Sequence, residues 1–232
     1  MAGVITHMVI AREIIKLLPE GTICNPGLFY LGNLAPDAIH AREGYIREYK
    51  KHTHFRDNIP DQDFEVEEHQ TAYRKRVVDF ITENKFREDD MIDLYRGYVT
   101  HILSDERFIL TIRKEFCEVM NERGIAQNDP RFFRYIVTDM NRNDLLLVER
   151  YEEMDEIRQQ LEKVIVQPVD EYLSYQEMKI SMDWLLRRHF HEENELVLPR
   201  YISYERMTSY IKEAASYVVK LLSQKDSKVQ MW

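Results

Sequence analysis

The apolar positions of this chain recur with a helical period along most of its length. The first stripe, at steps of four and three residues, consists of Val4, Met8, Ala11, Ile15 and Leu18. This spacing is typical of one face of an amphipathic helix that packs on a core. Pro19 and Gly21 follow directly and predict the end of this helix.

The same periodicity continues through the rest of the chain. It predicts helices over 66–84, 90–104 with an extension to 122, 130–140, 143–165, 169–190 and 200–223. Asp129 and Pro130 form a typical helix start, because Asp caps the first turn and Pro fits the first helical position. No segment shows the alternation of apolar and polar residues that predicts a half-buried strand.

Two stretches are predicted to be irregular. Residues 22–36 contain two prolines and two glycines, which favours a loop with at most a short helix over 29–34. Residues 50–62 contain a proline and several Asp and Asn residues. Because the chain has only 7 Gly and 7 Pro in 232 residues, long helices with few connections are expected elsewhere. The prediction is an all-α fold in a single domain spanning residues 1–232.

The composition narrows the function classes. A net charge of −9 argues against broad binding to nucleic acid or to anionic membranes, since both depend on a basic surface. Two distant cysteines provide neither a disulfide framework nor a cysteine-type zinc site. No apolar run is long enough for a secretory signal or a membrane span, so we expect a cytoplasmic protein without an integral membrane segment.

Three polar residues stand out because they lie on apolar helix faces. His7 shares the core-facing stripe of the first helix. His101 and Asp105 are four residues apart on the stripe of a later helix, so their side chains project side by side. A buried carboxylate is costly unless it is paired or binds a metal. Imidazole and carboxylate at this spacing suit a divalent ion, although each histidine alone could be a hydrogen-bonded core residue.

Other candidates lie in the two irregular stretches. Asp37 ends the segment LAPD and could bind a metal or simply cap a short helix. His52 and His54, in KHTHF, could be ligands or solvated loop residues. Taken together, several separate segments each offer a His or an Asp and none offers Cys, which favours a hydrolytic zinc site over a structural one.

The same segments, in the same order, resemble motifs of the zinc-dependent phospholipase C family, which is related in fold to the fungal single-strand-specific nucleases. The matching segments are THMVIA over 6–11, LGNLAPD over 31–37, THF over 53–55 and YRGYVTHILSD over 95–105. The last contains the Gly-x-x-x-His-x-x-x-Asp pattern and is the most specific. His54 is preferred to His52 because Phe follows it directly.

This resemblance implies an all-helical fold around a cluster of one to three zinc ions and the hydrolysis of a phosphoric ester. It implies that one zinc is held by Asp37, His54, His101 and Asp105, and that His7 joins Asp105 at a second. It also suggests Asp37 as the catalytic residue that orients or deprotonates the attacking water. The expected partner is a small phosphoester or a lipid headgroup.

The chain departs from the family pattern in two places. Secreted members ligate zinc through the mature N-terminal residue, and with Met1 so close to His7 that ligand is expected to be missing. Thr111 occupies the region where the family carries a further histidine. A late segment, RHFHEENE over 188–195, offers His189 with Glu193, or His191 with Glu195, as replacements. The alternative is a polar helix C-terminus, where histidine is favourable.

The leading hypothesis is thus a zinc-dependent, phospholipase C-like phosphoric ester hydrolase. A nuclease of the same superfamily is one alternative, which the net charge disfavours. A non-catalytic metal-binding or scaffold protein that keeps the fold is another, and the missing mid-chain histidine favours it. A helical bundle without any metal is the simplest alternative.

Overall fold

The computed structural model describes residues 2–87, 91–224 and 230–232, apart from the side chain of residue 61. Every regular element in these ranges is a helix, and β structure is limited to one isolated bridge between Val169 and Leu173. The predicted all-α class is confirmed for this part of the chain. Met1, at which a terminal zinc ligand was considered, lies outside the described residues.

No helix within the described ranges combines the length and the apolar character that crossing a membrane requires.

The α-helices, numbered in chain order, are α1 (Val4–Leu17), α2 (Pro26–Ala38), α3 (Arg47–Thr53), α4 (Glu67–Asn84), α5 (Ile92–Leu110), α6 (Ile112–Glu122), α7 (Pro130–Arg150), α8 (Met154–Lys163), α9 (Tyr175–Leu186) and α10 (Tyr204–Leu222). Short 3₁₀ turns cover Ile39–Ala41 and Asp61–Asp63. A π-helical turn, Arg187–His191, continues α9.

The prediction of a loop over residues 22–36 was wrong. Residues 26–36 of this stretch lie in α2, in which almost every side chain is buried. Asn25 caps the helix by accepting a hydrogen bond from the Leu28 backbone N–H at 3.1 Å, and Pro26 occupies the first helical position. Pro36 falls in the last turn. A helix that is apolar on all sides belongs in the middle of a core, and α2 lies there.

Two glycines explain why α2 is central. At the crossing of α2 and α5, a Cβ on Gly32 would lie 2.0 Å from the carbonyl oxygen of Leu94. A Cβ on Gly97 would lie 2.1 Å from the carbonyl oxygen of Phe29. The two helix backbones are therefore in direct contact, which only glycine permits. This close approach brings the C-terminal half of α2 alongside the His-x-x-x-Asp turn of α5.

Three other boundaries differ from the sequence prediction. α7 runs without a break through residues 141–142, and the interruption falls at 151–153. α9 begins only at Tyr175, because Ser174 and Glu177 form a capping box. The first residues of the stretch predicted to be irregular, 50–62, are helical, because α3 ends at Thr53. Asp129 and Pro130 start α7 as predicted.

The N-terminus of α1 is fixed by a residue distant in sequence. Its own N-cap residue, Gly3, provides no side-chain hydrogen bond. Asp144 of α7 instead accepts from the backbone N–H groups of Ile5 at 3.1 Å and Thr6 at 3.0 Å, and from the Thr6 hydroxyl at 2.8 Å. A carboxylate at this end of the helix satisfies its unpaired donors and suits its dipole. Asp144 thereby sets the position of His7, one residue further on.

Candidate metal centre

Five of the predicted site residues converge in the centre of the molecule. Two groups have all their ligand atoms within 4.8 Å of one another: His7, His101 and Asp105, and Asp37, His54 and His101. They come from α1, the end of α2, the residue after α3, and α5. His101 belongs to both groups, so they form one cluster, which we call the His/Asp cluster.

The tautomers of His54 and His101 are fixed by the backbone. His101 Nδ1 lies 2.7 Å from the carbonyl oxygen of Asn33, and His54 Nδ1 lies 2.8 Å from that of Lys50. A carbonyl oxygen only accepts, so both Nδ1 atoms carry the proton and both Nε2 atoms present a lone pair. The two Nε2 atoms face each other at 3.3 Å. Two lone pairs at this distance repel unless a cation lies next to both.

His7 is held in the same tautomer by Ser104. The Ser104 hydroxyl donates to the carbonyl oxygen of His101 at 2.9 Å, so it accepts from His7 Nδ1 at 3.0 Å. His7 Nε2 is then an acceptor, and it faces Asp105 Oδ1 at 3.4 Å. The rings of His7 and His101 stack with their centroids 3.7 Å apart. All three histidines thus present lone pairs to the interior of the cluster.

Asp105 lies between the two ligand groups. Its Oδ1 faces His7 and accepts a hydrogen bond from the Ala2 backbone N–H at 3.0 Å. Its Oδ2 lies 3.7 Å from His54 Nε2 and 3.8 Å from His101 Nε2. One carboxylate oxygen therefore faces each group, which is the placement of a bridging ligand.

Asp37 forms the side of the cluster nearest to solvent. Its Oδ1 lies 3.5 Å from His54 Nε2 and 2.5 Å from Lys50 Nζ. Burial, the largest single effect, raises the pKa of this carboxyl, but the charge of Lys50 and the contacts with His54 and His101 together hold the pKa well below its usual range. Asp37 is therefore ionised at neutral pH.

Burial keeps two histidines of the cluster, His54 and His101, neutral. His54 is 2% exposed, and burial, reinforced by the charge of Lys50, lowers its pKa to about 4. Burial lowers the pKa of His101 well below its usual value. Neutral imidazole is the form that binds a metal, so these ligands need lose no proton at pH 7.

The donor set fits zinc. Among the described residues, the buried side-chain atoms without a hydrogen-bond partner include His7 Nε2 and Asp105 Oδ2, both directed into the cluster. Buried polar atoms are rarely left unpaired unless an ion or a water serves them. The His54 and His101 Nε2 atoms lie 3.3 Å apart, and their distances to oxygens of Asp37 and Asp105 are 3.5–3.8 Å, close to the edge of a zinc tetrahedron, about 3.3 Å for bonds of about 2.0–2.1 Å.

The backbone after α3 is shaped to present His54. Phe55 adopts a left-handed conformation with φ of 57°. For a bulky residue this is strained and occurs mainly where surrounding contacts enforce it. The Phe55 ring is buried against Phe80 and Tyr98, and the Tyr98 hydroxyl donates to the carbonyl oxygen of Thr53 at 2.6 Å. These contacts fix the sharp turn that directs His54 into the cluster.

A cavity of about 1150 Å³ opens beside the His/Asp cluster. Asp37 and Lys50 line it on the side of the cluster. An apolar wall comes mainly from α7 and α9, through Phe132, Phe133, Ile136, Val137, Met140, Ile180 and Trp184. Of the two carboxylates in the cluster, only Asp37 lines this cavity; Asp105 lines a separate small pocket of about 10 Å³.

The late segment lies apart from both ligand groups. His189 is buried in the π-helical turn, lines the large cavity and has no hydrogen-bond partner for Nδ1 among the described residues. Glu193, His191 and Glu195 are exposed. None of these four residues belongs to either group of possible ligands that the described residues form. A metal-binding role for His189 and Glu193 stays a prediction.

The sequence did not indicate the groups that orient the cluster. Ser104 and the carbonyl oxygens of Asn33 and Lys50 set the three tautomers, and Lys50 also pairs with Asp37. Backbone carbonyls carry no residue-type signal. His52, the histidine not preferred, is 55% exposed and contacts Asp57 instead.

Comparison of the chain with protein-family models, curated proteins and solved structures found no match in any of the three.

Proposed function

We propose that this protein is a zinc-dependent hydrolase of phosphoric esters, the activity that its phospholipase C-like motifs imply. The observation that carries the proposal is the convergence of three Nε2 acceptors on the carboxylates of Asp37 and Asp105. Histidine and carboxylate without cysteine form the ligand set of hydrolytic zinc.

The cluster offers two overlapping metal positions. One would use Asp37, His54, His101 and Asp105, and the other would use His7 and Asp105 with His101 alongside. Zinc bound there would make a water nucleophilic near neutral pH and offset the negative charge of the phosphoryl oxygens.

Asp37 is the residue that we assign to the reaction itself. It belongs to the cluster, it lines the large cavity, and it is ionised. A carboxylate in that position can hold the attacking water and accept its proton. Asp105 lacks access to the large cavity and serves as a ligand.

The cavity supports a substrate of moderate size. Its volume of about 1150 Å³ lies slightly above the usual range for small-molecule sites, about 300–1,000 Å³. The apolar wall suits the carbon portion of an ester, while the polar wall next to Asp37 suits the phosphate. A buried structural metal site would not need such an opening.

The proposal is tested by loading the purified protein with zinc, removing the excess, and assaying p-nitrophenyl phosphate and bis(p-nitrophenyl) phosphate. We expect turnover that a chelator abolishes and that zinc restores. Asp37→Asn should lower kcat by about 100-fold or more. The matched control is Asp57→Asn, which alters a nearby aspartate whose carboxylate pairs with the exposed His52 rather than with the cluster. Bound zinc without any turnover would overturn the hydrolase and favour a non-catalytic metal-binding protein.

A further inference from the structure

Lys50 is a mostly buried cation that is paired with a residue of the His/Asp cluster but is not itself a metal ligand. Its Nζ lies 2.5 Å from Asp37 Oδ1, and its side chain is only 12% exposed. It lines the large cavity next to Asp37. Burying an ammonium group is costly, so a lysine here needs a purpose beyond solubility.

The position of Lys50 is coupled to that of a metal ligand. Its own carbonyl oxygen accepts the hydrogen bond from His54 Nδ1. Lys50 and His54 thus belong to one turn of backbone at the end of α3, and the ammonium is held at a fixed place relative to the cluster. A side chain placed this way can make a directional contact with a bound substrate.

The charge around the cavity has the opposite sign to the whole protein. The chain carries a net charge of −9. The charged residues that line the cavity are Arg47, Lys50, Arg56, Arg113, Asp37 and Asp144. Of the two carboxylates, Asp144 is occupied at the N-terminus of α1. A cationic wall within an acidic surface concentrates anions at the site.

We propose that Lys50 is a specificity-determining residue, whose ammonium binds a phosphoryl oxygen so that the site prefers phosphomonoesters to phosphodiesters. This inference rests on the proposed function. With both metal positions filled, two zinc ions and the Lys50 ammonium would exceed the two carboxylates of the cluster by three positive charges. A monoester brings close to two negative charges at neutral pH, whereas a diester brings one. The monoester therefore neutralises more of the excess positive charge. Beside the cluster, Lys50 is the side chain that contributes to this positive charge.

The experiment compares Lys50→Met, Lys50→Arg and the matched control Lys51→Met at equal zinc content. Lys51 is the adjacent lysine and does not line the cavity. The substrates are p-nitrophenyl phosphate, a monoester, and bis(p-nitrophenyl) phosphate, a diester. Binding of inorganic phosphate to the zinc-loaded proteins is measured in parallel by calorimetry.

Wild type should favour the monoester in kcat/KM. Lys50→Met should lower kcat/KM for the monoester and the affinity for phosphate by about tenfold or more, which is the usual effect of losing a charged hydrogen bond. In the same variant, kcat/KM for the diester should change much less. Lys50→Arg should restore most of the preference, and Lys51→Met should match wild type.

The outcomes separate this inference from the proposed function. Phosphate binding that depends on Lys50, without any hydrolysis, would support the anion site and overturn the hydrolase. A second outcome is zinc-dependent hydrolysis in which Lys50→Met lowers kcat/KM equally for both substrates and leaves the affinity for phosphate unchanged. That result would support the hydrolase and overturn the role of Lys50. A wild-type preference for the diester would also overturn it.

Discussion

His54 and His101 present Nε2 atoms to each other at 3.3 Å although each carries its proton on Nδ1. Each Nδ1–H is donated to a backbone carbonyl, so neither ring can flip without losing a buried hydrogen bond. Protonating one ring would turn the contact into a hydrogen bond, but burial lowers the pKa of both. A metal ion next to both Nε2 atoms would satisfy both lone pairs.

Asp105 faces both ligand groups, so its loss should affect both. We expect Asp105→Asn to weaken zinc binding by more than about 100-fold, because the change removes the charge shared by the two positions. A zinc titration against a chelating indicator measures this. Asn preserves the shape of the side chain, so helix content by circular dichroism should stay near that of wild type. Unchanged zinc affinity in a folded variant would remove Asp105 from the ligand set.

Ser104 tests whether the orientation of His7 matters. In Ser104→Ala, His7 Nδ1 loses its acceptor, and zinc affinity at the position that includes His7 should fall by about 10–100-fold. The control is Ser209→Ala, which removes a serine hydroxyl that also donates to a backbone carbonyl but is exposed on α10. Equal zinc affinity in the two variants would show that Ser104 does not orient a ligand.

The contact between α2 and α5 can be tested through Gly32. We expect Gly32→Ala to lower the free energy of unfolding by about 3 kcal/mol or more, because its Cβ would meet a backbone carbonyl at 2.0 Å. Gly27→Ala, on the same helix, is the matched control, since the nearest atom to its Cβ is the Val164 Cβ at 3.1 Å. Urea unfolding measures both. A similar loss in both variants would contradict the direct backbone contact.

The sequence predicts those parts of the fold and of the His/Asp cluster that depend on a local pattern of residues. The faces of α1 and α5 repeat every three to four residues, so His7, His101 and Asp105 could be placed on buried stripes. α2 was misread because glycine and proline usually break helices, whereas here Gly32 allows a helix contact. That contact depends on the Leu94 backbone of α5, which no local pattern specifies.

The residues that position the site also depend on contacts between segments that are distant in sequence, which no local pattern predicts. Asp144 caps α1 from α7, and the sequence offers no reason to pair it with Thr6. Lys50 resembles any surface lysine until α3 is folded against Asp37. In the late segment, the His-x-x-x-Glu spacing of His189 and Glu193 is real, but a π-helical turn followed by extended chain leaves Glu193 exposed.

The buried state of His189 predicts a pH dependence of stability. Burial, followed by the charge of Arg188, lowers its pKa to about 4, below the value of 6.5 for the unfolded chain. The unfolded state therefore takes up the proton first, so this stabilisation is complete above pH 6.5 and is lost as the pH falls toward 4. The loss amounts to about 3 kcal/mol.

This dependence is measured by urea unfolding at pH 7 and pH 4.5 in the presence of a chelator. Between pH 7 and pH 4.5, the free energy of unfolding of His189→Gln should fall by about 2–3 kcal/mol less than that of wild type. His191→Gln, which changes the exposed histidine of the same turn, should behave like wild type. If His189→Gln and His191→Gln lose stability equally, the imidazole of His189 is solvated rather than buried.

The most direct test of the His/Asp cluster is the zinc content of the purified protein by inductively coupled plasma mass spectrometry, after exposure to zinc and extensive dialysis. His54→Gln and His52→Gln are measured beside wild type, because one histidine lies in the cluster and the other, two residues away, is exposed. We predict one to two zinc ions per chain for wild type and for His52→Gln, and a clear loss for His54→Gln. Wild type without retained zinc, or the same zinc content in all three proteins, would contradict a metal centre at this cluster.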